Sequence, residues 1–212
     1  MAAPGVPKPD CGLCPRLKSF RDDNRAALPG HFNAPVPSFG DLAAQLLIVG
    51  LAPGLNGANK TGRPFTGDWA GDLLYATLLK FGFASGRYQA RADDGLTLNG
   101  ARIANAVRCV PPQNKPLAAE VTACRPFLVD EIAAMPKLET ILALGGLAHG
   151  AVLTALGMRK SKFPFGHGAV HSLDGGLRLV DSYHCSRYNT NTGRLTTEMF
   201  EDVFAFIRSS TP

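Results

Sequence analysis

The sequence predicts an α/β protein, a three-layer α/β/α sandwich around a central, mostly parallel sheet. Three observations carry that expectation. Short apolar runs that end at glycine or polar residues alternate with longer segments of helical spacing. Across 212 residues, 45% hydrophobic content supplies a buried core, and 18% charged residues are too few for a disordered chain. The two least regular loops, 50–67 and 184–195, each directly follow an expected strand, where open α/β sheets place their ligand crevice. Strands alternating with helices imply parallel pairing with helices on both faces. Residues 1–212 read as a single domain, since a few hundred residues still share one core.

Residues 1–40 are rich in Pro and Gly with interspersed Lys8, Arg16, Lys18, Arg21 and Arg25, and read as irregular, anchored only if Cys11 and Cys14 bind something. Residues 45–50 (QLLIVG) form a short apolar run that suits a buried strand. A helix is expected over 68–81, with Leu73, Leu74, Leu78 and Phe81 near one face. Residues 101–110 read as a strand, 117–135 as a helix, 139–144 as a second buried strand and 147–156 as a helix. Two further strands, near 165–171 and 177–183, precede a last helix over 196–208. No apolar run reaches the 18 residues of a membrane span, and the N-terminus lacks the basic and apolar regions of a signal peptide. The expected location is the bacterial cytosol or nucleoid. Lys plus Arg number 22 against 17 for Asp plus Glu, an excess compatible with a polyanionic partner without demanding one.

Cys11 and Cys14 form a tight CxxC, and Cys109 and Cys124 follow far downstream. In a reducing compartment such thiols are poor disulfide candidates. Two close and two distant thiolates suit zinc or a [4Fe–4S] cluster, and spacing does not choose between them. Either would be structural, pinning the N-terminal segment to the sheet. The plain alternative is that Cys109 and Cys124 are ordinary buried cysteines. Cys185 lies inside the second odd loop and is left out of the set.

The first loop, GLAPG followed by NGANKTGRPFTGD, is rich in Gly and Pro, so its backbone approaches a ligand closely and its amides suit a phosphate or a base edge. No GK[ST] closes it, so it is not a Walker A motif. The second loop, HCSRYNTNTGR, places a histidine at a strand end before hydroxyls, amides and two arginines, a polar and anion-friendly surface.

Taken together, GLAPG…GANKTGRPFTGD, NAVRCVPPQNKP and HCSRYNTNTGRLT resemble the motifs of the type 5 uracil-DNA glycosylases, the iron–sulfur branch of the uracil-DNA glycosylase superfamily. The four cysteines match the cluster ligands of that family and of its type 4 relatives. The resemblance runs from about residue 11 to 205.

It implies a monofunctional DNA glycosylase that flips a nucleotide out of the helix and hydrolyses the N-glycosidic bond of uracil and of other deaminated bases such as hypoxanthine. It further implies a [4Fe–4S] cluster on Cys11, Cys14, Cys109 and Cys124, with structural zinc as the alternative. The partner is DNA and the expected state a monomer.

By the same resemblance Gly50, Ala52, Phe65 and Asn105 bind the base, Phe65 by stacking and Asn105 by reading its edge. His184 donates to the departing base, and Asp68 activates water or stabilises the sugar cation. Ser186, Arg187, Tyr188 and Asn189 face DNA. Asp68 has a bland competing role as a helix N-cap, and Asn56 and Asn59 are its candidate helpers. Leu51 stands where related families carry a polar residue. Cys185 replaces the Pro that usually follows the motif histidine, which releases a φ restraint. The basic run Arg159-Lys160-Ser161-Lys162 suits either backbone phosphate or plain solvent. Two other readings compete: a non-catalytic, zinc-stapled nucleic-acid-binding module, and a small nucleotide hydrolase, for which no carboxylate cluster is placed to hold Mg²⁺.

Overall fold

A computed structural model describes residues 5–210; residues 1–4 and 211–212 of the expected 1–212 domain lie outside it. The described residues form eight strands: β1 (Phe39–Gly40), β2 (Leu46–Gly50), β3 (Ala84–Ser85), β4 (Thr97–Leu98), β5 (Ala101–Asn105), β6 (Thr140–Leu144), β7 (Val170–Ser172) and β8 (Arg178–Ser182). Six form one sheet in the order β1-β5-β2-β6-β8-β7. The inner four are parallel, and β1 and β7 flank them antiparallel. The small β3–β4 pair is separate.

Seven α-helices surround the strands: α1 (Pro15–Ala27), α2 (Ala58–Thr61), α3 (Trp69–Lys80), α4 (Ala118–Ala133), α5 (Gly146–Ala155), α6 (Arg187–Asn191) and α7 (Thr197–Ser209). The period of two along β2 divides the core. Leu46 and Ile48 join Leu74, Leu78, Phe200 and Phe204 of α3 and α7 on one face, whereas Leu47 and Val49 join Leu128, Val152 and Leu153 of α4 and α5 on the other. Every residue of β2 and β6 is buried, as strands covered on both sides require. The expected three-layer α/β/α sandwich is therefore present. Among the described residues no helix is long and apolar enough to cross a membrane.

Three expectations are corrected. The strand expected near 165–171 is confined to Val170–Ser172, antiparallel at the sheet edge, and residues 165–169 hold no strand. Within residues 1–40, read as largely irregular, α1 occupies Pro15–Ala27, whereas residues 5–14 and 28–38 hold no helix or strand. The inward stripe of α1 is Leu17, Arg21 and Asn24. Two of those three are polar, so the helical period was there without an apolar signal to reveal it. The strand expected over 101–110 stops at Asn105. Beyond it Ala106 and Val107 still donate to the carbonyls of Gly50 and Leu51 at 2.9 and 2.8 Å, and the chain then turns to bring Cys109 toward α1.

Buried charge fixes the loops around this frame. Arg63 donates both terminal nitrogens to Asp94 at 2.8 Å each, and both side chains are almost wholly shielded. The guanidinium also lies 5.1 Å from the ring centres of Phe39 and Tyr75. The fork thus ties the loop after β2 to the β3–β4 connection. At the far edge, His149 places both ring nitrogens against acceptors, Asp181 Oδ1 at 2.8 Å and the Phe163 carbonyl at 2.9 Å. His171 meets the other Asp181 oxygen at 3.3 Å.

The Arg63 partner keeps the Asp94 carboxyl far below its ordinary value, so its stabilisation is present above about pH 4 and fades as pH falls through the folded-state value. Asp94→Ala leaves a buried guanidinium unpaired and is expected to cost about 3–5 kcal/mol of stability at neutral pH, read from the midpoint of a urea titration.

Candidate active site

The inner strands all point their carboxyl ends to one edge of the sheet, and the odd loops converge there. β2 ends at Gly50, β5 at Asn105, and His184 follows β8 by two residues. Together with the start of α3 they enclose a cavity of about 400 Å³, lined among others by Ala52, Pro53, Phe65, Asp68, Asn105, His184, Ser186 and Arg187. That size suits a small ligand.

Phe65 has φ of 52°, a left-handed conformation that a bulky residue rarely adopts. Three contacts hold it. Its ring packs on Gly50, where an added Cβ would stand 2.5 Å from the ring tip. Its carbonyl packs on Gly71, where a Cβ would stand 1.8 Å from the oxygen. The Tyr88 hydroxyl donates to that same carbonyl at 3.5 Å and accepts from Gly67 N–H at 3.4 Å. The ring is buried and lies 5.9 Å from the His184 imidazole.

Asn105 is 3% exposed, and its Oδ1 has no hydrogen-bond partner. A Cβ on Gly50 would meet that oxygen at 2.6 Å, so the amide and the Phe65 ring lie against the same glycine. A buried amide oxygen left unpaired costs about 1–3 kcal/mol, which a ligand with a matching N–H would recover.

Asp68 serves as the N-cap of α3, its Oδ1 accepting from Gly71 N–H at 3.2 Å. The capping role is real, and the carboxyl still lines the cavity. Burial pushes its pKa up, against the pull of the helix amides. Burial likewise holds the His184 imidazole below its usual value, so at neutral pH it is an uncharged N–H donor. Neither of its ring nitrogens has a protein partner among the described residues; its carbonyl accepts from Asn189 Nδ2 at 2.8 Å.

The second loop folds into α6, with Ser186 as N-cap accepting from Asn189 N–H at 3.4 Å. Ser186 and Asn189 thus shape the His184 loop, while Arg187 and Tyr188 remain exposed, Tyr188 at 73%. Cys185 does not loosen this loop as the missing Pro suggests. Its thiol is fully buried, donates to the Ala70 carbonyl at 3.4 Å, and is pushed up to about 12 by burial, so it stays protonated and ties His184 to α3.

Asn59 is turned away, donating to Asn33 Oδ1 at 2.9 Å, and Asn56 is exposed outside the cavity lining. Leu51 borders both this cavity and a second groove of about 250 Å³ beside α4 and α5, which Lys160 of the basic run also lines. The sequence reading gave no role to the lining residues Trp69, Ala70 and Asn114. Asn114, at φ of 56°, was signalled only by the turn-forming PPQN stretch.

The four cysteines form a second locus. All are free thiols, and they line one recess between α1, α4 and the segment after β5. Arg21, 2% exposed, donates from Nη1 to Cys109 Sγ at 3.5 Å, and Arg108 N–H reaches Cys124 Sγ at 3.4 Å. Arg21 pairs with no carboxylate among the described residues, and its Nε is unpartnered. Burial pushes the Cys14, Cys109 and Cys124 thiols up, while a buried cation and N–H groups facing the sulfurs suit them as metal ligands.

The raised Asp68 pKa means that the fold binds this proton more tightly than the unfolded chain does. Stability therefore falls as pH rises from about 4 through the folded-state value. Asp68→Asn keeps a capping oxygen and removes that slope, so melting curves between about pH 4 and pH 8 should show the variant gaining on the parent as pH rises.

Comparison with known proteins identifies the family. The family model described as the uracil DNA glycosylase superfamily matches residues 37–208. A type-5 uracil-DNA glycosylase of Thermus thermophilus is 46% identical over 91% of this chain and 90% of its own length. One of Pyrobaculum aerophilum is 40% identical over 92% and 86%. A type-4 uracil-DNA glycosylase of the latter organism is 35% identical over 72% and 64%. The chain belongs to the uracil DNA glycosylase superfamily, in its type-5 branch.

Proposed function

We propose that this chain is a monofunctional glycosylase that removes uracil and hypoxanthine from DNA at the start of base excision repair. The observation that carries the reading is the buried, unpartnered Asn105 amide in a cavity shared with Phe65, Asp68 and His184. An extruded uracil offers N3–H and O4 side by side, which an amide complements with Oδ1 accepting and Nδ2 donating. Hypoxanthine offers the same pair as N1–H and O6. Leu51 puts no polar side chain at its position to reject a second ring, and the cavity has room for one.

Phe65 stacks on the base. As the glycosidic bond breaks, electrons pass to the base, and the neutral His184 N–H meets the charge that builds on its oxygen. The sugar becomes oxocarbenium-like; the Asp68 carboxylate stabilises that cation and orients the attacking water. Arg187 and Tyr188 face the DNA, the first suited to phosphate and the second to the gap left in the stack. The expected state is a monomer in the bacterial cytosol or nucleoid.

Cys11, Cys14, Cys109 and Cys124 would hold a [4Fe–4S] cluster, a structural staple between α1 and the sheet that takes no part in bond cleavage. Among the described residues no three of the sulfurs lie within 4.8 Å of one another. The family resemblance favours the cluster, with tetrahedral zinc on the same four sulfurs as the alternative.

A duplex with one U·G mismatch, incubated with EDTA and then treated with alkali, tests the activity. Wild-type protein should give alkali-dependent scission, and His184→Ala should lose about 10²–10³ in kcat. Asn105→Asp, which keeps the acceptors and loses the donor, should lose activity on uracil and hypoxanthine alike. A protein that excises neither base sinks the proposal and favours the binding-module reading. Protein purified without oxygen should absorb near 400 nm, and Cys124→Ser should lose that band and melt at lower temperature. A colourless, zinc-loaded wild type would replace the cluster with zinc.

A further inference from the structure

We infer that Trp69 and Arg187 form a second base subsite at the mouth of the cavity, holding the nucleobase that neighbours the extruded one in the same strand. The inference rests on the glycosylase reading of the cavity and goes beyond it.

Trp69 is the first residue of α3, directly after Asp68, and lines the same cavity as Asp68 and His184. It belongs to none of the buried apolar clusters, and 49% of it is exposed. The ring is nonetheless fixed. Its Nε1–H donates to Thr190 Oγ1 of α6 at 2.9 Å, and the Arg187 guanidinium sits 5.8 Å from its centre. An exposed indole that only fills space has no need of such restraint. One that is held in place and half open offers a flat, sequence-tolerant surface for a base at little entropic cost.

Charge selects the occupant. Arg187 is exposed and pairs with no carboxylate among the described residues, so it is free to meet the phosphate that joins two successive nucleotides. An indole and a free guanidinium side by side match a base and its own phosphate. The Trp69–Thr190 bond also links the two loops that carry Asp68 and His184, so a base seated there would brace both.

The chain has one tryptophan, so its emission reports this residue alone. The cluster-loaded protein is titrated with a single strand carrying 2′-fluoro-2′-deoxyuridine, which resists cleavage. Quenching is expected when bases flank the uridine. It should be largely lost when the flanking nucleotides are replaced by abasic spacers. Trp69→Ala should bind the full strand roughly tenfold more weakly, with the loss on a cleavable strand falling on KM rather than kcat, and Trp69→Phe should restore most of it.

Emission indifferent to the flanking bases, or Trp69→Ala binding like the parent, would overturn the subsite. If the wild type excises uracil while either of those results holds, only the subsite falls. If it excises neither uracil nor hypoxanthine, the glycosylase reading falls, and dependence of quenching on the flanking bases still decides the subsite.

Discussion

The candidate site depends on the missing side chain at Gly50. At the last position of β2 the Phe65 ring and the Asn105 amide both occupy space that any Cβ would need, at 2.5 and 2.6 Å. Because β2 and β5 are parallel and in register, with Gly50 opposite Asn105, the amide arrives at this point by sheet geometry alone. Phe65 arrives by a loop that must double back, which is why it adopts a backbone conformation unusual for an aromatic residue. One vacancy in the sequence therefore sets the distance between the stacking face and the edge reader.

Holding that arrangement requires interactions well outside the cavity. The strained Phe65 is flanked by Arg63 and Thr66, and Arg63 donates from Nε to Thr66 Oγ1 at 2.8 Å while gripping Asp94. The loop is thus fixed from behind by a shielded ion pair, where low dielectric strengthens the attraction and a bidentate fork sets direction. On the other side, Cys185 and Asn189 anchor the His184 backbone to α3 and α6. Two polar side chains facing the cavity are left unpaired by contrast, whereas Asp68 and Ser186 cap their helices. Asn105 Oδ1 and the His184 ring have no protein partners among the described residues, because groups meant for a ligand cannot also be spent on the scaffold.

The legibility of the sequence followed the physics of each element. Buried strands such as 46–50 and 140–144 were readable because parallel strands covered on both faces must be uniformly apolar. Helices α3, α4, α5 and α7 were readable within two residues at each end. Helix α1 was not, since its buried stripe runs through Arg21 and Asn24, and the burial of Arg21 makes sense only beside the cysteines. The β3–β4 pair was equally silent, with two residues per strand too few to show a period. Trp69 drew no attention for a related reason: next to an N-cap, an aromatic reads as core until the structure leaves half of it in solvent.

By itself the sequence determined the α/β class, the order of the main strands and helices, the CxxC and its distant partners, and the loops that carry Asp68 and His184. Those features are local in the chain, written in composition, period and spacing. The tertiary structure alone decided that Asp68 caps a helix and faces the cavity at once, that Cys185 is a buried tether, that Asn59 points away, and that Arg21 confronts the sulfurs as an uncompensated cation. Each of these depends on which atoms meet across dozens of residues, and burial, which no single residue type announces, then sets their charge and their chemistry.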